Sequence, residues 1–245
     1  MGFSFEISGL SFEASSRRIL TLTELSLPSA GLVTILGPNG AGKTTMLRIL
    51  AGLEREYNGK IRLWGKDLKD HSSQERSRNV AWVPSELDLS FDISLVEMVG
   101  LGRYPWNQGY PTRDDRLAVE KVLERLELLG LRDRMLSTLS SGERQKAQVA
   151  RALASEARCL ILDEPCSHLD IKARYELMEI LQMVGQSALV LMTSHDHYII
   201  PRYTDWSLAL KTGEMFSYQS GALSDQEVSL LFDLKGLKFG ESQSD

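Results

Sequence analysis

The chain has 245 residues, of which 42% are hydrophobic and 25% charged, a composition typical of a globular protein. At roughly 150 residues per domain, this length predicts one large domain or one domain with an inserted lobe. The formal net charge of −5 does not support a basic nucleic-acid surface, so we expect no nucleic-acid partner. No apolar run reaches the roughly 18 residues that cross a bilayer, and no signal peptide is visible. The cysteines, Cys159 and Cys166, are interpreted as reduced cytosolic thiols.

Short apolar runs separated by turns predict strands in the first part of the chain. Alternating apolar residues near the start are typical of a half-buried strand, and the run Gly31–Leu36 is typical of a strand buried on both faces. A helix is predicted over residues 43–51, with Gly52 ending it. The other predicted strands here are 3–7, 61–64 and 80–83.

The middle of the chain, from about residue 95 to residue 156, has a mostly helical pattern. Residues 116–129 carry apolar side chains at a period of 3.6, and Gly130 is expected to end that helix. A second helix is predicted from after Ser140 through Ala154. Strands at 159–162, 188–192, 206–210 and 214–218 then alternate with helices at 172–184 and 197–203. This order predicts an α/β fold with a helical segment inserted near residues 86–157.

A phosphate-binding loop is predicted between the strand that ends at Leu36 and the following helix. Its sequence fits the pattern G-x-x-x-x-G-K-[ST], in which glycines let backbone N–H groups curl around phosphate oxygens at a helix N-terminus. We expect Lys43 to reach the β- and γ-phosphates and the Thr44 hydroxyl to ligate Mg²⁺. The predicted nucleotide-binding residues of the loop are Gly37, Pro38, Asn39, Gly40, Ala41, Gly42, Lys43, Thr44 and Thr45.

Two adjacent carboxylates, Asp163 and Glu164, follow the apolar predicted strand 159–162. Burying such a pair is costly unless a metal ion or a proton shares the charge. In a phosphate-loop ATPase, an acid at the position of Asp163 holds Mg²⁺ and the next acid polarises the attacking water. Taken alone, the segment also fits an acidic turn, but the phosphate loop upstream favours the metal and water roles.

Three further segments resemble motifs of the ABC-type ATPases. Residues 139–145, with the sequence Leu-Ser-Ser-Gly-Glu-Arg-Gln, precede a predicted helix and resemble the family's signature sequence. Residues 167–170 resemble the D-loop, and residues 193–196 resemble the switch segment, with its histidine at His195. Together with the phosphate loop and the two carboxylates, five motifs follow one another in the family's order.

The resemblance implies an α/β phosphate-loop NTPase core with an N-terminal antiparallel β lobe and an inserted helical subdomain. It implies a single ABC ATPase domain over residues 1–240, with the core at about 1–85 and 158–240 and the helical subdomain at about 86–157. The implied cofactors are ATP and Mg²⁺. The implied catalytic residues are Glu164, His195 and Lys43, and the implied Mg²⁺ ligands are Thr44 and Asp163.

The signature sequence also implies a homodimer that forms on nucleotide binding. In the family, the helix after the signature caps the γ-phosphate held by the phosphate loop of the opposite subunit, so that two ATP molecules lie between two subunits. The residues implied to contact ATP across this interface are Ser140, Ser141, Gly142, Glu143 and Asp170.

A finer resemblance concerns the subgroup. Residues 98–105, with the sequence Met-Val-Gly-Leu-Gly-Arg-Tyr-Pro, and the acids Asp114 and Asp115 resemble import ATPases for ferric siderophores, haem and cobalamin. This implies integral membrane permease subunits as partners, a periplasmic or extracellular substrate-binding protein as an indirect partner, and a peripheral location on the cytoplasmic face of the membrane. The open alternatives are an exporter ATPase subunit, a non-hydrolysing regulatory ABC protein, and a soluble ABC protein of translation or DNA repair. The length does not favour the last of these.

Four positions depart from the family pattern. Ser85, followed by Glu86, stands where the Q-loop glutamine is expected to contact the nucleotide site. Ala14 stands at the position of the aromatic residue that stacks on adenine, with Phe12 as a possible substitute or a core residue. Ser141 replaces the first signature glycine, and His168 occupies a D-loop position that usually holds a small residue. We still expect hydrolysis, because the two carboxylates and the switch histidine are present.

Overall fold

The computed structural model describes residues 2–86, 92–167, 169–195 and 200–234. Strands in this part of the chain join into one ten-stranded mixed sheet, in the order β5-β4-β1-β2-β10-β9-β3-β8-β7-β6. The strands are β1 (Phe3–Ala14), β2 (Arg17–Pro28), β3 (Gly31–Leu36), β4 (Asn58–Leu63), β5 (Lys66–Asp67), β6 (Val80–Val83), β7 (Cys159–Leu162), β8 (Leu189–Thr193), β9 (Trp206–Lys211) and β10 (Glu214–Ser220).

Helices pack on both faces of this sheet and form a lobe beside it. They are α1 (Lys43–Leu50), α2 (Ser73–Asn79), α3 (Leu95–Gly100), α4 (Tyr104–Asn107), α5 (Arg113–Arg125), α6 (Ser141–Ala154), α7 (Ile171–Gly185) and α8 (Asp225–Leu231). No helix among the described residues is both long enough and apolar enough to span a membrane.

The first part of the sheet is an antiparallel β lobe. Strand β1 pairs with β2 on one side and with β4 on the other. Ser15 and Ser16 connect β1 to β2 with φ values of 50° and 62°, which suits a tight hairpin turn with two left-handed residues. The N-terminal antiparallel lobe predicted from the family resemblance is therefore present.

The second part of the sheet is parallel. Strand β3 lies between β8 and β9, and β7 and β6 continue beyond β8 in the same direction. Parallel strands end at the same edge of a sheet, and in open α/β sheets ligands bind beyond that edge. The loops after β3, β6, β7 and β8 therefore converge, although long stretches of sequence separate them.

Apolar packing holds the helices against this parallel sheet. Helix α1 buries Met46, Leu47 and Leu50 in a cluster that also contains Ile35 and Leu191 of the sheet. Helix α7 covers the other face, where its Leu177, Met178 and Leu181 join a cluster with Leu160 and Val190. This two-sided cover explains why the central strands are continuous apolar runs without alternation.

The helical lobe has an apolar cluster of its own. Leu95, Val99, Leu123 and Ala150 belong to that cluster and come from α3, α5 and α6. Each of these three helices begins with a capping box, in which an N-cap hydroxyl and the residue at N3 satisfy each other's backbone N–H groups. The inserted helical subdomain is therefore part of the fold, and its boundaries at about residues 86 and 157 stay a prediction.

Two predicted helices differ from the structure. Helix α5 ends at Arg125 rather than at residue 129, because Leu126 and Leu128 are both about 2% exposed. Two residues that are two positions apart on a helix point about 200° away from each other, so they cannot both face one core. Glu127, with φ of 58°, turns the chain so that both leucines are buried.

The helix predicted over 197–203 is replaced, in its described part, by a short 3-10 turn at Ile200–Arg202; residues 196–199 lie outside the described residues. Helix α8, which follows β10, has no counterpart among the predicted elements. It packs against the sheet through Leu231, which joins a small cluster with Leu36 and Ala209.

Candidate nucleotide-binding site

The predicted phosphate loop connects β3 to α1 at the carboxyl edge of the sheet. A Cβ atom on Gly37 would lie 2.2 Å from the carbonyl oxygen of Leu210 in β9, so only glycine fits there. Gly42 is the N-cap of α1 and has φ of 92°, in the left-handed region that favours glycine. Two of the loop's glycines are therefore required by the chain's own packing and backbone conformation.

Lys43, the first residue of α1, folds back over this loop. Its Nζ donates to the carbonyl oxygens of Gly37 at 2.7 Å and Pro38 at 3.1 Å. Burial lowers the pKa of Lys43, and the nearby carboxylates of Glu164 and Asp163 oppose that shift. The ammonium group is thus held at the mouth of the loop, close to two negative charges.

Thr44 and Asp163 lie directly opposite each other. The Thr44 hydroxyl donates to Asp163 Oδ2 at 2.9 Å, with Oδ1 at 3.2 Å. Within the described residues, no group of three or more His, Cys, Asp or Glu side chains forms a complete metal cage. One carboxylate and one hydroxyl suit Mg²⁺, which in nucleotide sites takes few protein ligands and completes its shell with phosphate oxygens and water. The residues present therefore fit the predicted ion.

Glu164 and His195 meet at the same edge, from the ends of β7 and β8. The Nε2 atom of His195 lies 2.8 Å from Oε1 of Glu164, and both side chains are partly exposed. Glu164 has φ of 48°, a left-handed conformation that is uncommon outside glycine. Two of the three predicted catalytic side chains are thus in contact with each other, and Glu164 lies beside the phosphate loop that carries the third, Lys43.

A cavity of about 610 Å³ opens above the phosphate loop and is lined by all residues from Pro38 to Thr45 and by Glu164. Its other described walls include Arg17 and Arg18 of the β lobe, Lys211 at the end of β9, Thr212 directly after it, and Asp233 after α8. The last three are marked by no motif in the sequence. Lys211 Nζ donates to Asp233 Oδ1 at 2.8 Å, an ion pair between distant segments that no sequence motif indicates.

No aromatic side chain is found among the described residues that line this cavity. Ala14, at the predicted adenine-stacking position, is the last residue of β1 and pairs with Arg17 across the hairpin. Phe12 is partly buried and packs against the apolar cluster that the β lobe shares with α1 and the parallel strands. The structure therefore favours the core interpretation of Phe12, and places arginine side chains where an aromatic platform was considered.

The signature residues form the N-terminus of α6. Ser140 is the N-cap, and its N–H and hydroxyl donate to the Glu143 carboxylate at 2.8 and 2.7 Å. Ser141 takes a helical conformation as the first residue of α6, so the loss of a glycine there leaves the helix intact. None of residues 140–143 is among the described residues that line the 610 Å³ cavity. Their predicted ATP contact therefore needs a second molecule and stays a prediction.

The remaining predicted positions are Asp170, Ser85 and His168. Asp170 is the N-cap of α7, where its carboxylate accepts from the Ala173 N–H at 2.8 Å. Ser85 lies just after β6 and is not among the described lining residues of the cavity, so its contact with nucleotide stays a prediction. His168 lies outside the described residues.

The comparisons with known proteins now define the class. The sequence profile of the ABC transporter family matches residues 20–167, which include the phosphate loop, the signature residues and both carboxylates. The chain belongs to the ABC transporter family.

Its relatives are more specific. A cobalamin import ATP-binding protein of Halobacterium salinarum is 32% identical over 238 residues, covering 95% of this chain but only 59% of that relative. A hemin import ATP-binding protein of Pseudomonas putida is 35% identical over 219 residues, covering 87% of this chain and 85% of the relative. A petrobactin import ATP-binding protein of Bacillus anthracis is 30% identical over 197 residues, covering 80% of this chain and 79% of the relative.

A solved structure shows the same fold. An ATP-binding cassette of an ABC transporter in its ADP conformation superposes with a TM-score of 0.82, covering 94% of this chain and 95% of its own. Its sequence is 18% identical, so this likeness concerns the fold alone. The predicted α/β phosphate-loop fold is confirmed.

Proposed function

We propose that this protein is the ATP-binding and ATP-hydrolysing subunit of an importer that takes up a metal chelate. The observation that carries the proposal is the convergence of Thr44, Asp163, Glu164 and His195 beside the phosphate loop. The phosphate loop, Thr44 and Glu164 line one cavity, and Asp163 and His195 contact Thr44 and Glu164 directly. Phosphate binding, Mg²⁺ ligation and water activation, the chemistry that ATP hydrolysis needs, are thus combined in one site.

Each residue has a distinct part in that chemistry. The loop amides and Lys43 bind the β- and γ-phosphates. Thr44 and Asp163 would hold Mg²⁺, which would supply charge neutralisation at the phosphates when bound. The Glu164 carboxylate polarises the attacking water. His195 lies on the same carboxylate and orients that water toward the γ-phosphate.

The second half of the site comes from another copy of the chain. Ser140 and Ser141 are exposed at the N-terminus of α6, a fourteen-residue helix whose positive end favours a phosphate. A Cβ atom on Gly142 would meet its nearest atoms at 3.7 and 3.9 Å, which is ordinary contact, so intramolecular packing does not require glycine there. A two-fold dimer places this surface over the phosphate loop of the partner and closes two ATP sites at once.

The helical lobe offers a place for the membrane subunit. A largely apolar cavity of about 490 Å³ lies between α3, α4 and α5, and its rim carries Leu101 and Tyr104. Both side chains are exposed, Tyr104 to 61%. An amphipathic helix from the cytoplasmic side of a permease matches such a groove, with apolar side chains inside and polar ones at the rim.

The transported ligand is inferred from relatives. Cobalamin and hemin, named in two of them, are metal complexes of large rings, and this common chemistry supports a metal chelate as the cargo. Residues 98–105, which resemble a segment of the import ATPases, include Tyr104 at the proposed permease groove. This position supports the import subgroup. The permease and its binding protein select the cargo, so the chain's own site is specific for nucleotide only.

Hydrolysis is tested with a matched pair of variants. Glu164→Gln is expected to abolish steady phosphate release with Mg-ATP while keeping ATP binding. Glu127→Gln is the control, because Glu127 is also left-handed but lies on the exposed turn after α5. If the wild-type protein releases no phosphate above background, or if Glu164→Gln releases as much as the wild type, the proposed enzyme is contradicted. A regulatory nucleotide-binding protein is then favoured.

The partner proposals need separate measurements. Light scattering of Glu164→Gln is expected to show a dimer with ATP and a monomer without nucleotide. Co-expression with a candidate importer permease is expected to yield a complex that Tyr104→Glu weakens. A chain that stays monomeric at saturating ATP, with or without the permease, argues against the shared ATP sites.

A further inference from the structure

The buried hydroxyl of Thr193 contacts both carboxylate residues of the site. Thr193 is the last residue of β8 and is 0% exposed. Its Oγ1 donates to Asp163 Oδ1 at 2.7 Å and accepts the backbone N–H of Glu164 at 2.7 Å. One hydroxyl group therefore links the side chain of the predicted Mg²⁺ ligand to the backbone of the predicted water-activating residue.

The bond to Glu164 fixes an unfavourable backbone conformation. Glu164 has φ of 48°, and such conformations persist only where the surroundings hold them. Thr193 holds the N–H side of this residue. Ser167 holds the other side, because its N–H and hydroxyl donate to the Glu164 carbonyl oxygen at 3.0 and 2.8 Å. The direction of the Glu164 side chain therefore depends on both contacts.

The bond to Asp163 fixes the carboxylate plane. Thr44 binds Oδ2 at 2.9 Å from the side of the phosphate loop, and Thr193 binds Oδ1 from the side of the sheet. Asp163 is 5% exposed, and its N–H donates to the Val83 carbonyl oxygen at 2.9 Å. With its backbone and both oxygens engaged, the carboxylate has a single orientation toward the site of the ion.

The position of Thr193 also connects the switch histidine to these residues. In the parallel register of β7 and β8, Leu162 lies opposite Met192, so the residues that follow each strand run side by side. His195 is two residues beyond Thr193 and reaches the same Glu164 through its side chain. A displacement of the end of β8 therefore acts on Glu164 from both its backbone and its carboxylate.

We infer that Thr193 is a positioning residue that sets the Mg²⁺-binding orientation of Asp163 and the active conformation of Glu164. The inference rests on the proposed ATPase function and deepens it. It does not make Thr193 a catalytic residue, since its hydroxyl is engaged within the protein and is fully buried.

The test compares three variants of the full chain. Thr193→Val removes the hydroxyl and keeps the branched shape, and Thr193→Ser keeps the hydroxyl. Thr34→Val is the matched control: Thr34 is a buried threonine on the adjacent strand β3, and its hydroxyl bonds Thr204 at 2.7 Å rather than a carboxylate. Thr204 keeps a second partner in the Ile200 carbonyl, so this control leaves no unpaired hydroxyl.

The first readout is the Mg²⁺ dependence of fluorescent ATP-analogue binding in the Glu164→Gln background, where no turnover occurs. Thr193→Val is expected to raise the Mg²⁺ concentration for half-saturation about tenfold, the loss typical of one charge-assisted hydrogen bond. Analogue affinity in EDTA should stay within twofold, because the phosphate loop is unchanged. Thr193→Ser and Thr34→Val should match the parent protein in both measurements.

The second readout is turnover in the otherwise unchanged protein. Thr193→Val is expected to lower kcat at saturating Mg²⁺ at least tenfold with little change in KM, and Thr193→Ser is expected to restore it. If Thr193→Val and Thr34→Val behave alike in both readouts, the inference is wrong while the ATPase function stands. If the parent protein neither hydrolyses ATP nor binds it with Mg²⁺, the proposed function itself fails.

Discussion

Two glycines of the site are constrained for different reasons. Gly37 is fixed by its own fold, because a side chain there would collide with the Leu210 carbonyl oxygen. Gly142 has ordinary room for a methyl group within the chain. Its need for glycine, if the dimer forms as proposed, comes from the phosphate of the opposite subunit. Glycine at position 37 is therefore required by the fold, whereas a requirement for glycine at position 142 is expected only from the proposed dimer.

Substitution by alanine separates these roles. Gly142→Ala is expected to keep or slightly raise the free energy of unfolding, since alanine is favoured over glycine inside a helix by about 1 kcal/mol. The same variant is expected to lose ATP-dependent dimerisation in the Glu164→Gln background. Gly37→Ala is expected to destabilise the protein by about 1–3 kcal/mol through overpacking. Urea unfolding and light scattering measure these effects; normal dimerisation of Gly142→Ala contradicts the proposed interface.

At the scale of elements, one buried arginine connects α5, the end of α6 and the segment after α6 through hydrogen bonds. Arg103, just before α4, is buried and bonds Asp115 of α5 at 2.9 Å, the Ala154 carbonyl at the end of α6 at 2.9 Å, and Glu156 at 2.8 Å. Arg103 and Asp115 also line the groove proposed for the permease. The segment that resembles the import subgroup therefore contains an internal brace beside the exposed Tyr104.

Breaking this brace is expected to destabilise the protein. Arg103→Met leaves the buried Asp115 carboxylate without its ion-pair partner, a loss of about 3–5 kcal/mol for pairs of this kind. Arg132→Met is the control, since Arg132 pairs with Glu120 at 3.2 Å on the surface and its removal is expected to cost at most about 1 kcal/mol. Chemical denaturation of both variants measures the difference. Equal effects would show that the Arg103 pair is no stronger than a surface contact.

The same pair predicts an acid dependence. Burial opposes ionisation of Asp115, but hydrogen bonds from Thr112 and Arg103 outweigh it and hold the pKa of this carboxyl below its usual range. A carboxyl whose pKa is lower in the folded state stabilises the protein at pH values above its unfolded-state pKa of about 4. This stabilisation is lost as the pH falls below that value. Between about pH 5 and pH 2, the wild type is expected to lose more stability than Arg103→Met, as measured by urea unfolding at each pH.

At the scale of the whole molecule, the nucleotide cavity joins parts that are far apart in sequence. The phosphate loop, Glu164 after β7, Arg17 and Arg18 at the start of β2, and Lys211 with Asp233 all line this cavity. A ligand that contacts all of them binds the folded chain only. Nucleotide binding is therefore expected to stabilise the whole core rather than one loop.

Thermal unfolding tests this expectation. Mg-ATP at 100 times its Kd is expected to stabilise the protein by about 2.7 kcal/mol. For a domain of this size that corresponds to a rise in Tm of about 5–10 °C. Lys43→Met is expected to remove most of the shift, because the ammonium group nearest the phosphates is lost. A full shift in Lys43→Met indicates that the nucleotide binds elsewhere.

The sequence predicted the local chemistry and most of the architecture. Strand β3, helix α1 and helix α6 were located to within a residue or so, because each combines a clear apolar pattern with a glycine or a capping residue at its end. The α/β fold and the family are confirmed. The boundaries of the helical subdomain and the roles of the site residues stay predictions.

Tertiary structure decided which distant residues meet. The early end of α5 depends on burying Leu126 and Leu128 together, and no local signal marks it. Phe12 packs against the core, and Lys211 and Asp233 line the cavity, because strand order and packing place them there. The contact of Thr193 with Asp163 and Glu164 likewise follows from the parallel pairing of β7 and β8. Motif spacing fixes the residue types of the site, whereas long-range strand pairing fixes their geometry.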